Sequence, residues 1–211
     1  MPITIPENGS IEAFAIIVDI NGFTSMVGKD ESGAIAQFVR DVLAGSIDAI
    51  EKEEGEIVSY MGDAILGVLP TVESVVRACI GIARDLDKTC EYICDDNDLW
   101  PFALGGPSLK ISVEYGQLDV SSIVSRFLGV QRLLIGNAIN YASRISSAGE
   151  GNRCLIGPVA AEKMSIEGYG VSSPALVEGK SGEKPYTYCQ FDLGDIWIEG
   201  PRKKGKDTYW G

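Results

Sequence analysis

An α+β domain is the fold class this sequence predicts: a mainly antiparallel sheet with helices packed on it. Three observations predict it. Short runs rich in Ile and Val alternate with long amphipathic stripes. Two of those runs face each other across a Gly-Asp turn. The 211 residues, 45% hydrophobic and 23% charged, are enough to bury one core.

Taken in order, Ala13–Asp19 reads as a buried strand, stopped by Asn21-Gly22. From Ser32 to Lys52, apolar residues at 35, 38, 39, 42, 43, 47 and 50 form one helical stripe. Glu56–Tyr60 and Ala64–Leu69 are strands joined by a tight turn at Met61-Gly62-Asp63. Val72–Cys94 repeats the helical spacing at 75, 76, 79, 80, 83 and 86. Asp95–Ser108 is polar, carries Gly and Pro, and reads as a loop. Leu109–Tyr115 is a strand, and Gln117–Ile135 a long hairpin or arm with Gly129 near its tip.

Asn137–Ser147 is a short helix opened by Gly136. Cys154–Ile156 is a short strand, and Pro158–Met164 a helix with Pro at its start. Val171–Glu178 and Tyr186–Phe191 close the domain as strands. The order β-α-β-β-α-β, with further strands after it, suggests a ferredoxin-like sandwich with helices on one face. Residues 1–12 are a lead-in and 13–195 the domain. Residues 196–211 form a tail made basic by Arg202, Lys203, Lys204 and Lys206 and expected to be loosely ordered.

Composition removes whole classes of function. A net charge of −12 argues against coating nucleic acid or an anionic membrane, because neutralising phosphates needs a basic surface. Histidine is absent, which excludes Ser-His-Asp and Cys-His catalysis and His-ligated zinc. Cysteines 79, 90, 94, 154 and 189 form no tight pairing motif, and their odd number fits reduced thiols. The start lacks the basic and apolar regions of a signal peptide. No run approaches the roughly 18 apolar residues of a membrane span. A soluble cytoplasmic protein is the expectation.

Two acids carry the chemistry. Asp19 ends the apolar run AFAIIVD, and Asp63 sits at the tip of the hairpin EIVSYMGDAILGVL. Alone, each is an ordinary strand-end or hairpin-corner residue. Together at the edge of a β-rich core, they are costly unless something cationic joins them. They suit a pair of hard divalent ions holding a nucleoside triphosphate. Asn140 and Arg144 are four apart and share a helix face, while Ala138, Ala142 and Ile145 lie toward another.

FAIIVDINGFT resembles the first metal-binding motif of the class III nucleotidyl cyclases, the adenylyl and guanylyl cyclase catalytic domain. GEIVSYMGDAILGVL is similar to the second, and GNAINYASRI resembles the family helix that bears an Asn and an Arg. The resemblance implies that Asp19, Asp63 and the backbone carbonyl of Ile20 hold two divalent ions, Mn2+ or Mg2+. It implies backbone N–H groups of Phe23 and Thr24 on the triphosphate, Asn140 on the ribose and Arg144 on the α-phosphate. Lys180, in EGKSGEKPYTY, resembles a family lysine for the terminal phosphates. In that family the Asp pair and the Asn/Arg pair of one site come from different subunits. This chain carries both, which implies a homodimer with two shared sites, joined through the sheet and arm.

The base-selecting positions depart from the purine enzymes. Those matching the adenine-selecting Lys and Asp are Ser59, beside Tyr60, and Leu133, and the residues usual for guanine are missing as well. The chain is thus similar to the pyrimidine cyclases of bacterial Pycsar anti-phage systems, which make cyclic UMP or cyclic CMP for a separate effector. Tyr60 is expected to pack on or crowd the base and favour a smaller ring. Gln117 stands where a phosphate-binding Arg is usual, and Arg126 and Arg132 are candidates to compensate. The expected activity is a pyrimidine cyclase, UTP ahead of CTP. An adenylyl cyclase is the alternative, and an inactive nucleotide-binding regulatory module the reading from another class. Intact Asp19, Asp63, Asn140 and Arg144 weigh against the last.

Overall fold

The computed structural model describes residues 2–23, 33–96, 108–127, 129–148, 153–179 and 182–191, with backbone only for 33–34 and 90–96. The strands are β1 (Gly9–Asn21), β2 (Glu56–Met61), β3 (Ala64–Leu69), β4 (Ser108–Ser125), β5 (Gly129–Ile135), β6 (Arg153–Ile156), β7 (Ala175–Val177) and β8 (Tyr186–Phe191). The helices are α1 (Gly33–Lys52), α2 (Val72–Asp96), α3 (Asn137–Ile145) and α4 (Pro158–Ile166). The sheet runs β2-β3-β1-β4-β6-β8-β7, with β5 folded back on β4. Its β4–β6 pair is parallel and its other pairs are antiparallel. The α+β class with a mostly antiparallel sheet is therefore as predicted.

Alternation along β1 builds two cores. Phe14, Ile16, Val18 and Ile20 face the side where Phe38, Val42 and Ile50 of α1, Val75, Cys79 and Ile82 of α2, and Ala160 and Met164 of α4 pack. Ala13, Ala15 and Ile17 face the other side, with Leu66, Val68, Leu118 and Val120 of neighbouring strands and Ala138 and Ala142 of α3. The helices therefore do not share one face, because α3 lies opposite the other three. Its small apolar stripe lets it settle closely, and a Cβ added at Gly116 would lie 3.4 Å from that of Ala138.

The strands also run further than their apolar residues. β1 begins at Gly9, since residues 9–12 pair with Val120 to Gln117 of β4 through main-chain bonds that need no hydrophobic side chain. β4 continues unbroken into the arm, so the predicted strand at 109–115 and the first half of the hairpin are one element. The lead-in packs too: Ile5 is buried, and the Ile3 N–H donates to the Glu54 carbonyl at 2.9 Å. Of Val171–Glu178, only Ala175–Val177 is a strand, with an isolated bridge from Val171 to Phe191. Cys79, Cys154 and Cys189 are free thiols, as expected. The basic tail and residues 97–107 of the predicted loop lie outside the described residues, and Asp95 and Asp96 end α2.

Candidate active site

The sheet register brings Asp19 and Asp63 together. Asp19 stands opposite Ala64 of β3, the residue after Asp63, and the Ile20 N–H reaches the Asp63 carbonyl at 3.4 Å. Asp63 lies in the two-residue turn between Met61 and Ala64, where Gly62 takes φ +73°, a backbone state that favours glycine. On its other side Asp19 faces Lys110 of β4. Asn21 Nδ2 donates to Ser108 Oγ at 3.1 Å and ties the end of β1 to the start of β4.

The electrostatics follow from this placement. Burial pushes the Asp19 carboxyl above its ordinary range, the charge of Asp63 pushes it further, and Lys110 pulls it back. A divalent cation between the two carboxylates would relieve that repulsion. The donor set fits a hard ion, since Asp19, Asp63 and the Ile20 carbonyl offer oxygen alone. Among the described residues no third acidic, Cys or His side chain joins them, which leaves further ligand positions to phosphate oxygens and water.

Asn140 and Arg144 sit on α3, whose buried side is Ala138, Ala142 and Ile145. Asn140 is exposed. Arg144 Nη2 donates to Glu183 Oε1 at 2.6 Å, and its Nε is buried with no partner among the described residues. Tyr141 Oη donates to the Thr187 carbonyl and accepts from the Thr187 N–H, each at 3.0 Å, and so pins α3 to β8.

Ala138 lies over Gly116, which pairs with Ala13, and Asp19 is six residues further along β1. At about 3.3 Å per residue that sets Asp19 roughly 20 Å along β1 from the point over which Ala138 sits.

The other predicted positions scatter. Ser59 pairs with Leu66, a residue of the α3-side core, and so lies on the Asp19 face of the sheet. Tyr60 pairs with Ile65 of the helix-side core, which puts it across the sheet from Asp19, and it is 66% exposed. Leu133 lies in the arm opposite Ser121 and is partly exposed. Phe23 packs against the helix-side core. Thr24 and Lys180 lie outside the described residues.

Arg132 is committed within its own chain, ion-paired with Glu56 and donating to the Ile5 carbonyl at 3.3 Å. Arg126 stacks on exposed Phe127. Gln117 is exposed, paired with Glu12.

Sequence reasoning missed three residues. Lys110 and Glu183 approach their partners only through strand register and loop folding. Glu114 is a buried charge within β4. It accepts from the N–H groups of Tyr115 and Ala160, both at 2.8 Å.

The model of the adenylate and guanylate cyclase catalytic domain matches residues 9–190. Over 147 residues the chain is 30% identical to an adenylate cyclase of Anabaena cylindrica, which covers 67% of this chain and 28% of that protein. The chain thus spans little more than a quarter of that relative. Among solved structures it is similar to the adenylyl cyclase CyaB from P. aeruginosa, with TM-score 0.75 and 17% identity over 89% of this chain and 96% of that one. It is also similar to the guanylyl cyclase Cya2, with TM-score 0.72 and 17% identity over 97% and 100%. A class III adenylyl cyclase-like ATP-binding protein from Pseudomonas aeruginosa aligns with TM-score 0.62 and 18% identity over 73% and 35%. No helix among the described residues is long and apolar enough to cross a membrane.

Proposed function

The chain belongs to the family of adenylate and guanylate cyclase catalytic domains, and from that premise we propose that it is a nucleotidyl cyclase acting on a pyrimidine nucleoside triphosphate. UTP is favoured over CTP, and the products are the 3′,5′-cyclic monophosphate and pyrophosphate. The observation that carries the cyclase reading is the pair Asp19 and Asp63, close enough that one charge raises the proton affinity of the other.

In this reading Asp19, Asp63 and the Ile20 carbonyl hold two divalent ions, Mn2+ or Mg2+. When bound, such ions make the ribose 3′-hydroxyl more acidic and offset charge on the phosphates. The chain's own residues do the rest. Asn140 orients the ribose so that its 3′-oxygen lies in line with the α-phosphorus. Arg144 donates to the α-phosphate as charge builds there, a role whose loss typically costs about 3–4 kcal/mol of barrier. The N–H groups of Phe23 and Thr24 and the Lys180 ammonium bind the outer phosphates.

Each site takes its carboxylates from one protomer and its Asn/Arg pair from the other. The apolar surface of the arm supports this, with Phe127, Val124 and Val130 exposed by 90%, 78% and 67%. Ser59 and Leu133 support the pyrimidine assignment, since neither side chain supplies the contacts of the purine enzymes. By the resemblance to Pycsar cyclases, the product serves a separate cyclic-nucleotide-sensing effector in anti-phage defence in the cytoplasm. The Anabaena relative favours a second reading, cyclic AMP from ATP. The neighbour described as an ATP-binding protein favours, as the reading from another class, a nucleotide-binding module.

The test is incubation of the protein with Mn2+ and each of the four nucleoside triphosphates separately, with products identified by mass spectrometry. Cyclic UMP or cyclic CMP is expected. Product from ATP alone would overturn the pyrimidine assignment, and no product from any nucleotide would favour the binding module.

A further inference from the structure

Arg144 leaves α3 and meets a carboxylate of its own chain. The side chains of Arg144 and Glu183 are only 22% and 32% exposed, so water screens their ion pair less than one at the surface. Glu183 is itself tethered, because Tyr186 Oη donates to its Oε2 at 3.4 Å. The Tyr186 ring packs edge-on against Tyr141, centroids 5.0 Å apart, and Tyr141 lies on α3 one turn before Arg144. The contacts close into a frame, Arg144 to Glu183 to Tyr186 to Tyr141 and back to α3. Within that frame Nη2 is held, while the buried Nε has no acceptor among the described residues. A guanidinium carries five N–H donors, so an ion pair through one nitrogen leaves others for an anion.

We infer that Glu183 is a positioning residue for Arg144, holding its guanidinium in one rotamer so that the remaining donors meet the reacting phosphate. The inference rests on the role proposed above for Arg144. An arginine otherwise samples many rotamers, and fixing one before substrate arrives is preorganisation. A preorganised donor acts more strongly on the transition state than on bound substrate, so Glu183 should register in kcat rather than in KM. A carboxylate that competes with the phosphate would do the reverse, and its removal would tighten binding.

The experiment compares wild type, E183Q, E183D and R144A with Mn2+ and UTP, CTP, ATP and GTP in turn. Calorimetry of the matching 3′-deoxynucleoside triphosphates and thermal melts accompany the kinetics. For E183Q the expected kcat is about tenfold or more below wild type, with KM and 3′-deoxynucleotide affinity within about threefold. Its melting temperature should be unchanged, and E183D should recover part of the rate. Wild-type or faster turnover by E183Q, tighter 3′-deoxynucleotide binding, or a rate loss that tracks a lower melting temperature would each overturn the inference. Wild-type turnover by R144A would remove the role of Arg144 and this inference with it. A dead R144A beside an unaffected E183Q would remove the inference alone.

Discussion

Asp19 is a carboxylate whose charge the fold disfavours. Burial and the neighbouring Asp63 both disfavour its charge, and Lys110 across the β1–β4 pair relieves only part of that. In the metal role proposed for the pair, metal-free protein carries that repulsion unrelieved. Asp19→Asn should therefore raise the melting temperature of metal-free protein while lowering turnover at least about a hundredfold. Asp63→Ala should lose turnover to the same extent, and Mn2+ should no longer raise the melting temperature of either variant. Calorimetric scans with and without Mn2+ check this, and substantial activity in both variants would refute the metal assignment.

At the scale of the element, α4 depends on a residue outside itself. Its N-cap, Gly157, has no side chain to offer, and a Cβ there would run into the carboxylate of Glu114. Glu114 reaches over from β4 and accepts from the Ala160 N–H at the helix start, where a negative charge is also favoured by the helix dipole. Glu114→Ala should cost about 1–3 kcal/mol by orphaning those donors.

The pH dependence of Glu114 has a definite sign. Burial holds its carboxyl above the ordinary 4.5, more than its hydrogen bonds lower it. A carboxyl with a raised folded pKa binds its proton more tightly folded than unfolded. Its contribution to stability is full below 4.5 and is lost as pH rises through the folded value. Relative to Glu114→Gln, the wild-type melting temperature should fall as pH rises from 4.5. A difference that stays flat with pH would contradict the assignment.

At the scale of the molecule, the proposed site belongs to two copies, with its carboxylates from one and its Asn/Arg pair from the other. Asp63→Ala protein mixed with Arg144→Ala protein should regain activity, because a heterodimer rebuilds one of its two sites. Up to about half of wild-type activity per heterodimer is expected on that symmetry. A mixture as inactive as its components would mean that sites form within one subunit.

Much of this molecule was legible along the chain. Alternation and helical stripes marked the strands and helices, since those periods follow from backbone geometry. The acids at 19 and 63 stood out because charge at the edge of an apolar strand needs a reason. The register decided what local pattern does not encode. It set Lys110 beside Asp19, and it put Tyr60 across the sheet from that acid while Ser59 stayed on its face. It also assigned α3 to the opposite face from the other helices. The partnership of Arg144 with Glu183, 39 residues later, belongs to the same class. Local sequence determines which groups a segment offers. Only the packing of distant segments, driven by burial and main-chain pairing, determines which of them meet.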